Sequence, residues 1–257
     1  MNSFLVRLRS RITWMAAGLA LFTHVAGLAA DPGLSLKETV NLRTVSKAAL
    51  SPNGDAVAYL LSVPRELYKD DDGASYSQLH VVDLEGASRP YFSGKVSVSD
   101  VAWSADGGSL FFIGKRDQKA EFADIHRMPL DGGEGEVVFT PRTGVKALRP
   151  SPDGRSLAFL AKDPKPETDK KLAEKGFRAN VYEESAEPER VWLLDLESGE
   201  VVNLTDESKF GECDPVWSPD GAQIAFTSWR YGDKDLFSVD LKGGEVRQLT
   251  STPSEEQ

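Results

Sequence analysis

Apolar residues are concentrated in four short runs, and each run follows a polar turn that contains glycine. The runs read VAYLL, LFFI, LAFLA and IAFT, and the turns before them read SPNG, SADG, SPDG and SPDG. The turns begin at Ser51, Ser104, Ser151 and Ser218. Proline presets φ in such turns and glycine accepts a positive φ, so each turn predicts a β-hairpin. Because the apolar residues are consecutive, the strand after each turn is predicted to be covered on both faces.

Two further segments repeat after every hairpin and extend the unit to four strands. The third segments read LHVVDL, IHRMPL, VWLLDL and LFSVDL, and the fourth read RPYFSG, EVVFTP, EVVNLTD and EVRQLTS. The turn serines are 53, 47 and 67 residues apart. Four short strands repeated at such intervals are typical of propeller blades. The sequence therefore predicts an all-β fold, a β-propeller with about four four-stranded blades, in units near residues 40–93, 98–140, 145–205 and 212–250.

The start of the chain differs from the repeats and has the anatomy of a secretory signal. Three arginines precede an apolar run that ends in small residues at Ala30. A basic start, a short apolar middle and a small-residue end predict a signal peptide over residues 1–30, cleaved near Ala30. An uncleaved membrane anchor is the alternative. With cleavage, residues 31–257 form the propeller segment, and the protein is periplasmic or secreted, with no membrane contact afterwards.

Charge and cysteine content narrow the classes of partner. Three of the 30 basic residues lie in the signal segment, so the mature chain sets 27 basic residues against 40 acidic ones, a net charge of −13. Such a surface repels phosphate backbones and anionic lipids, which excludes nucleic acid as an expected partner. Cys213 is the only cysteine, so the chain cannot form an internal disulfide. That usage fits a bacterial periplasmic protein with a sizeable core.

Several chemically suggestive residues are better explained by the repeat. Trp103 and Trp217 occupy equivalent positions before a turn, which predicts blade packing rather than ligand stacking. His80 and His126 lie in the third-strand segments, with no nucleophile nearby in sequence, so both are predicted to be strand residues. The adjacent aspartates of residues 69–73 do not alternate as calcium ligands do, so we predict a solvated loop and no metal.

The repeat resembles known propellers. PVWSPDGAQIAFTSWRYGDKDLFSVDLKGGEVRQLT, from Pro215 to Thr250, is similar to the repeat of TolB-like proteins and to the N-terminal propeller of the prolyl oligopeptidase family. RVWLLDLESGEVVNLTDE, from Arg190 to Glu207, resembles the bacterial acylaminoacyl-peptidase and dipeptidyl-peptidase branch of that family. The resemblance covers nearly all of residues 34–250.

The family carries its catalytic Ser, Asp and His on an α/β-hydrolase domain after the propeller. Residues 1–257 contain no G-x-S-x-G, so we expect no catalytic residue, no cofactor and no activity from this chain alone. Because the family's propellers have seven or eight blades, four blades imply an incomplete ring, with possible self-association through its open ends. We expect those ends to be apolar, with Val57, Tyr59 and Leu61 on the open side of blade 1 and Ile224 and Phe226 on the open side of blade 4.

Three functions remain open at this stage. The first is the propeller of a secreted serine peptidase, which gates peptide access to a catalytic domain. The second is a stand-alone TolB-like propeller that binds proteins in the periplasm, and the third is a fragment without function. Within blade 3, Glu183 and Glu184 lie in a charged insertion. Dipeptidyl peptidases hold a substrate's free amino terminus with a glutamate pair, so the resemblance suggests this pair as a weak substrate-binding candidate.

Overall fold

The computed structural model describes residues 33–165, 168, 171, 175–176, 187–205, 210–241 and 244–251. Before the first strand, a short helix α1 (Leu36–Val40) is started by a capping box. Ser35 Oγ and N both donate to the Glu38 carboxylate, at 2.6 and 2.8 Å, and Glu38 N donates back to Ser35 Oγ at 3.3 Å. The S-x-x-E spacing signals such a helix start, although the sequence analysis did not predict this helix.

The described residues form sixteen strands in four consecutive sets of four. Blade 1 contains β1 (Thr44–Leu50), β2 (Ala56–Val63), β3 (Tyr76–Asp83) and β4 (Ser88–Phe92). Blade 2 contains β5 (Ser97–Trp103), β6 (Ser109–Lys115), β7 (Asp124–Pro129) and β8 (Glu136–Phe139). Blade 3 contains β9 (Val145–Pro150), β10 (Ser156–Lys162), β11 (Glu189–Asp195) and β12 (Val201–Asn203). Blade 4 contains β13 (Glu212–Trp217), β14 (Gln223–Ser228), β15 (Asp235–Asp240) and β16 (Val246–Gln248).

Each blade is an antiparallel meander in which successive strands are hydrogen-bonded neighbours. A single parallel pair, Ser77 with Ser97, links the sheets of blades 1 and 2. The first strands of consecutive blades lie side by side, β1 by β5, β5 by β9 and β9 by β13. They therefore form the inner edge of an arc from which the sheets extend outward. The prediction of an all-β propeller with four-stranded blades and an open ring is confirmed.

The four S-P-D-G-type turns have one shared geometry. The glycine amide donates to the serine carbonyl at 2.9–3.0 Å, and the glycine φ lies between 69° and 73°. The serine hydroxyl donates to an aspartate at 2.6 Å and accepts the amide of the residue five positions later. In the second, third and fourth turns, this hydroxyl is the main cause that lowers the pKa of Asp106, Asp153 and Asp220. The repeated residues are turn chemistry, as predicted.

Three hydrophobic clusters join the four blades. The first packs Ala58, Leu60 and Leu79 of blade 1 against Leu110 and Phe112 of blade 2. The second packs blade 2 against blade 3, and the third packs blade 3 against blade 4. Each cluster is assembled from the facing sides of two sheets, so no blade has a core of its own.

Burial along the second strands shows which blades are covered on both faces. In β6 and β10, of the middle blades, five or more consecutive residues are buried. In β2 and β14, of the end blades, buried and accessible residues alternate. The prediction of two covered faces therefore holds for the middle blades only, because an end blade has one neighbour among the described residues.

The two open faces differ in character, and one was predicted wrongly. On blade 1, Val57, Tyr59 and Leu61 occupy the side away from blade 2 and are partly exposed, as expected. On blade 4, Ile224 and Phe226 were expected on the open side, but both are fully buried against blade 3. The alternation of β14 places smaller side chains on the open side instead, with the more exposed Leu236 on β15.

The turn geometry predicts a stability loss when a turn glycine becomes valine. Gly154 has φ 71°, and a Cβ there would meet no atom within 4 Å, so the penalty is purely conformational. We expect Gly154→Val to lower the free energy of unfolding by about 1–3 kcal/mol, and Gly107→Val and Gly221→Val to behave alike. Urea denaturation measures the loss. Gly144→Val is the control, since Gly144 also lies in open space but has no positive φ; equal losses in all four variants would contradict the shared turn.

The open face of blade 1 predicts self-association of the purified chain. A partly exposed apolar face on a blade that has no neighbour favours association, because burying that face against a second copy removes apolar surface from water. We expect dimers or larger species by light scattering, together with a broad calorimetric transition. Leu61→Lys should shift the distribution towards monomer, whereas Thr227→Lys on the open face of blade 4 should have less effect. A monomeric protein with one sharp transition would be inconsistent with this expectation.

Candidate functional site

The inner edge of the arc is a surface to which all four blades contribute, each through its first strand. Each first strand is hydrogen-bonded to its second strand on one side and, apart from the single Ser77–Ser97 pair, has no partner among the described strands on the other. Its exposed side chains are mixed in character: Ser46, Ser99, Lys146 and Asp214 are polar, whereas Val45, Leu50 and Val216 are apolar. The arc thus presents an inner edge of mixed polarity that reaches from blade 1 to blade 4.

All four first strands are bulged near the same position, about four residues before the turn serine. The pairing register shifts in β1, β5, β9 and β13 alike. Within the last two bulges, Ala147 and Asp214 adopt the left-handed conformation, with φ of 56° and 53°. A bulge twists an edge strand and interrupts its row of free hydrogen-bonding groups, which protects the inner edge from pairing with another strand.

Asp100 connects three blades beneath this edge. The residue lies in β5 and is 3% exposed. Its carboxylate accepts the amide of Leu148 in blade 3 at 2.9 Å and pairs with the ammonium group of Lys47 in blade 1. The carboxylate also accepts a hydrogen bond from the backbone amide of the next residue, Val101, at 2.7 Å. A buried carboxylate with three donors fixes the relative register of blades 1, 2 and 3.

Sequence reasoning missed Asp100, although one signal was available. The equivalent position four residues before the turn serine holds Lys47 in blade 1, Ala147 in blade 3 and Asp214 in blade 4. An acidic residue next to the apolar positions of a strand requires a partner, and the lysine at the matching position of the preceding blade supplies one.

The two repeated tryptophans also connect blades, as predicted. Trp103 packs in the first cluster and donates its indole N–H to the Ala49 carbonyl of blade 1 at 2.8 Å. Trp217 packs against the third cluster and donates to the Arg149 carbonyl of blade 3 at 2.8 Å. The accepting residue is in each case two positions before the turn serine of the preceding blade, so the repeat encodes the bond.

Two ion pairs lie at the strand ends of blades 3 and 4 that are farthest from the S-P-D-G turns. Arg190, 8% exposed, donates to the Asp163 carboxylate at 2.8 Å. In blade 4, Glu212 is fully buried and accepts from Arg230 at 2.7 Å. Among the described residues, the second carboxylate oxygen of Glu212 has no hydrogen-bond partner. These pairs fix the ends of β10, β11 and β13 on the side opposite the turns.

The structure settles some of the sequence candidates and does not reach others. Glu183 and Glu184 lie outside the described residues, so their role stays a prediction. His80 stacks on Tyr59 with ring centroids 5.4 Å apart, and His126 stacks on Phe112 at 4.8 Å. Burial is the main cause that lowers the pKa of both histidines. Both are strand residues that pack against aromatic rings, as predicted.

The acidic loop of blade 1 is organised by ion pairing. Asp70 receives the ammonium group of Lys95 at 2.7 Å and the amide of Glu66 at 2.8 Å.

Over the ranges described above, no group of three or more His, Cys, Asp or Glu side chains is placed to hold a metal ion. The same part of the chain contains no helix of the length and hydrophobicity that a membrane span requires.

Fold and repeat together define the described part of the chain as a β-propeller arc of four four-stranded blades. No family model matches the chain. Over an alignment of 206 residues, the chain is 26% identical to the uncharacterized peptidase YuxL of Bacillus subtilis. This alignment covers 72% of this chain and 29% of that protein. Over an alignment of 159 residues, the chain is 21% identical to dipeptidyl-peptidase 5 of Porphyromonas gingivalis. This alignment covers 60% of this chain and 21% of that protein. The chain thus spans less than a third of these two relatives.

Solved structures agree on the fold. TolB of Acinetobacter baumannii superposes with a TM-score of 0.54 and 21% identity, over 77% of this chain and 42% of that one. Acylaminoacyl peptidase of Pyrococcus horikoshii superposes with a TM-score of 0.59 and 17% identity, over 84% of this chain and 33% of that one. The resemblance to TolB-like repeats and to peptidase propellers, inferred from the sequence, is confirmed.

The three-blade junction at Asp100 predicts a large stability loss on truncation. Asp100→Ala leaves the buried Leu148 amide without its acceptor and removes the partner of Lys47, so we expect the free energy of unfolding to fall by about 3 kcal/mol. Chemical denaturation measures it. Asp214→Ala is the control, because that aspartate sits at the same repeat position, is 72% exposed and lies 3.5 Å from Lys234. Its loss should stay below about 1 kcal/mol; a similar cost at both sites would contradict the junction.

Proposed function

We propose that this chain is the N-terminal propeller part of a secreted serine peptidase of the prolyl oligopeptidase type. The supporting observation is its similarity to the peptidase YuxL, which extends over 72% of this chain. In this role, the propeller covers a catalytic domain and admits short or unfolded peptides. The signal segment over residues 1–30 directs export, and the mature protein acts in the periplasm or outside the cell.

The geometry of the arc suits a filter. Its inner edge is bulged, so an extended peptide can pass without being captured as an additional strand. Its blades are held together by clusters, indole hydrogen bonds and the Asp100 junction, which keep the inner edge in a fixed shape. A rigid rim excludes folded proteins by size and leaves peptide chemistry to the catalytic domain.

Activity assays test whether the propeller lacks catalytic activity of its own. The purified chain, which holds no G-x-S-x-G, should not hydrolyse aminoacyl or dipeptidyl amides and esters. Turnover that a serine-directed phosphonate blocks would refute this assignment.

Sequencing the transcript beyond codon 257 tests the parent protein. We expect an open frame with three or four more S-P-D-G units and then a G-x-S-x-G. If it is found, the full-length enzyme should cleave short peptides and spare folded proteins, and equal cleavage of both would contradict gating.

A stand-alone TolB-like protein-binding propeller is the second candidate. It is favoured by the superposition on TolB of Acinetobacter baumannii, which extends over 77% of this chain. A transcript that ends at codon 257 without further blades, together with a monomeric protein, would move this candidate to first place.

A further inference from the structure

A cleft of about 370 Å³ opens between blades 2 and 3, beside the loop from β8 to β9. Its apolar walls come from both blades and include Phe139, Phe159, Trp192 and Val201. This volume lies within the range that small-ligand sites occupy. It is large enough for one bulky side chain with its flanking main chain.

The walls are held in place by bonds that do not involve a ligand. The Phe139 and Phe159 rings lie 5.9 Å apart, and Phe159 is paired with Trp192 across β10 and β11. The Trp192 indole donates to the Ala161 carbonyl at 3.1 Å, and Thr143 Oγ1 donates to the Lys162 carbonyl at 3.0 Å. The cleft is therefore pre-formed, which reduces the entropy lost on binding.

Two cations, Arg142 and Lys162, line the same cleft and are exposed. Among the described residues, neither cation forms an ion pair with an acidic side chain. Two acids that neighbour Lys162 in sequence or across the sheet have other partners. Asp163 accepts from Arg190 at 2.8 Å, and Glu189 pairs with Lys146 at 2.6 Å. In a chain with a net charge of −10, two uncompensated cations beside an apolar wall favour an anionic ligand.

We propose that this cleft binds the carboxyl-terminal end of a peptide. The last side chain, aromatic or large aliphatic, fills the apolar part, and the free α-carboxylate is held by Arg142 and Lys162. An α-carboxylate is separated from its own side chain by a single carbon, which matches cations placed directly beside an apolar wall. A phosphorylated side chain fits less well, because it places a strongly hydrated group at the end of the ring that the apolar wall receives.

Titration calorimetry with N-acetyl-Ala-Ala-Phe and the purified chain tests the proposal, and no catalysis is required. We expect the free acid to bind about tenfold more tightly than the amide of the same peptide, since the amide loses the charge-assisted contacts to both cations. The double variant Arg142→Gln with Lys162→Gln should lose the same factor for the acid and leave the amide unchanged. N-acetyl-Ala-Ala-Ala should bind more weakly than the phenylalanine peptide because it leaves the apolar part empty.

Matched variants separate a local effect from a change in net charge or folding. Lys119→Gln removes an exposed cation from the loop between β6 and β7 and should leave binding unchanged. Val201→Phe fills the apolar part and should weaken acid and amide alike, with thermal melts confirming that each variant is folded. Equal binding of acid and amide, no binding of either, or preference for an amidated phosphotyrosine peptide would overturn the proposal. None of these outcomes bears on whether the propeller belongs to a peptidase, because that assignment depends on the transcript and on activity.

Discussion

Burial between blades is the constraint on which the rest of this structure depends. Each four-stranded sheet has at least one apolar face that it cannot cover by itself, so every core cluster is shared by two blades. The stability of one blade is therefore inseparable from the presence of its neighbours. The same constraint explains why the middle blades are buried on both faces and why the end blades alternate.

Apolar contact alone does not fix how one sheet is set against the next, since side chains of similar size can slide. Directional bonds across the interfaces supply that information. The indoles of Trp103 and Trp217 each bind a defined carbonyl of the preceding blade, and Asp100 joins three blades through main-chain and ionic contacts. These groups lie near the inner edge, where the first strands are closest, so they define the rim that a peptide would meet.

The fold was predictable because its signals are local and repeated. Each turn contains a glycine, and the observed φ near 70° gives the physical reason. The faces of the end blades were harder, because alternation in a short apolar run does not show which side meets a neighbour. The positions of Ile224 and Phe226 could have been assigned by comparison with Leu110 and Phe112, which occupy the same places relative to the turn serine. Asp100 escaped notice because its partners come from two other blades, at sequence separations of 53 and 48 residues.

What repeats in this chain specifies the scaffold, and what departs from the repeat is where individual function can lie. The serines, glycines and tryptophans that recur are each explained by a turn or an interface. By contrast, Arg142 and Lys162 have no such explanation, because neither takes part in an ion pair among the described residues. A cation without an acidic partner in the described part of the chain is available to an anionic ligand. The cleft between blades 2 and 3 combines two such cations with a rigid apolar wall, which makes it a stronger candidate for ligand recognition than the repeated residues that first draw attention in the sequence.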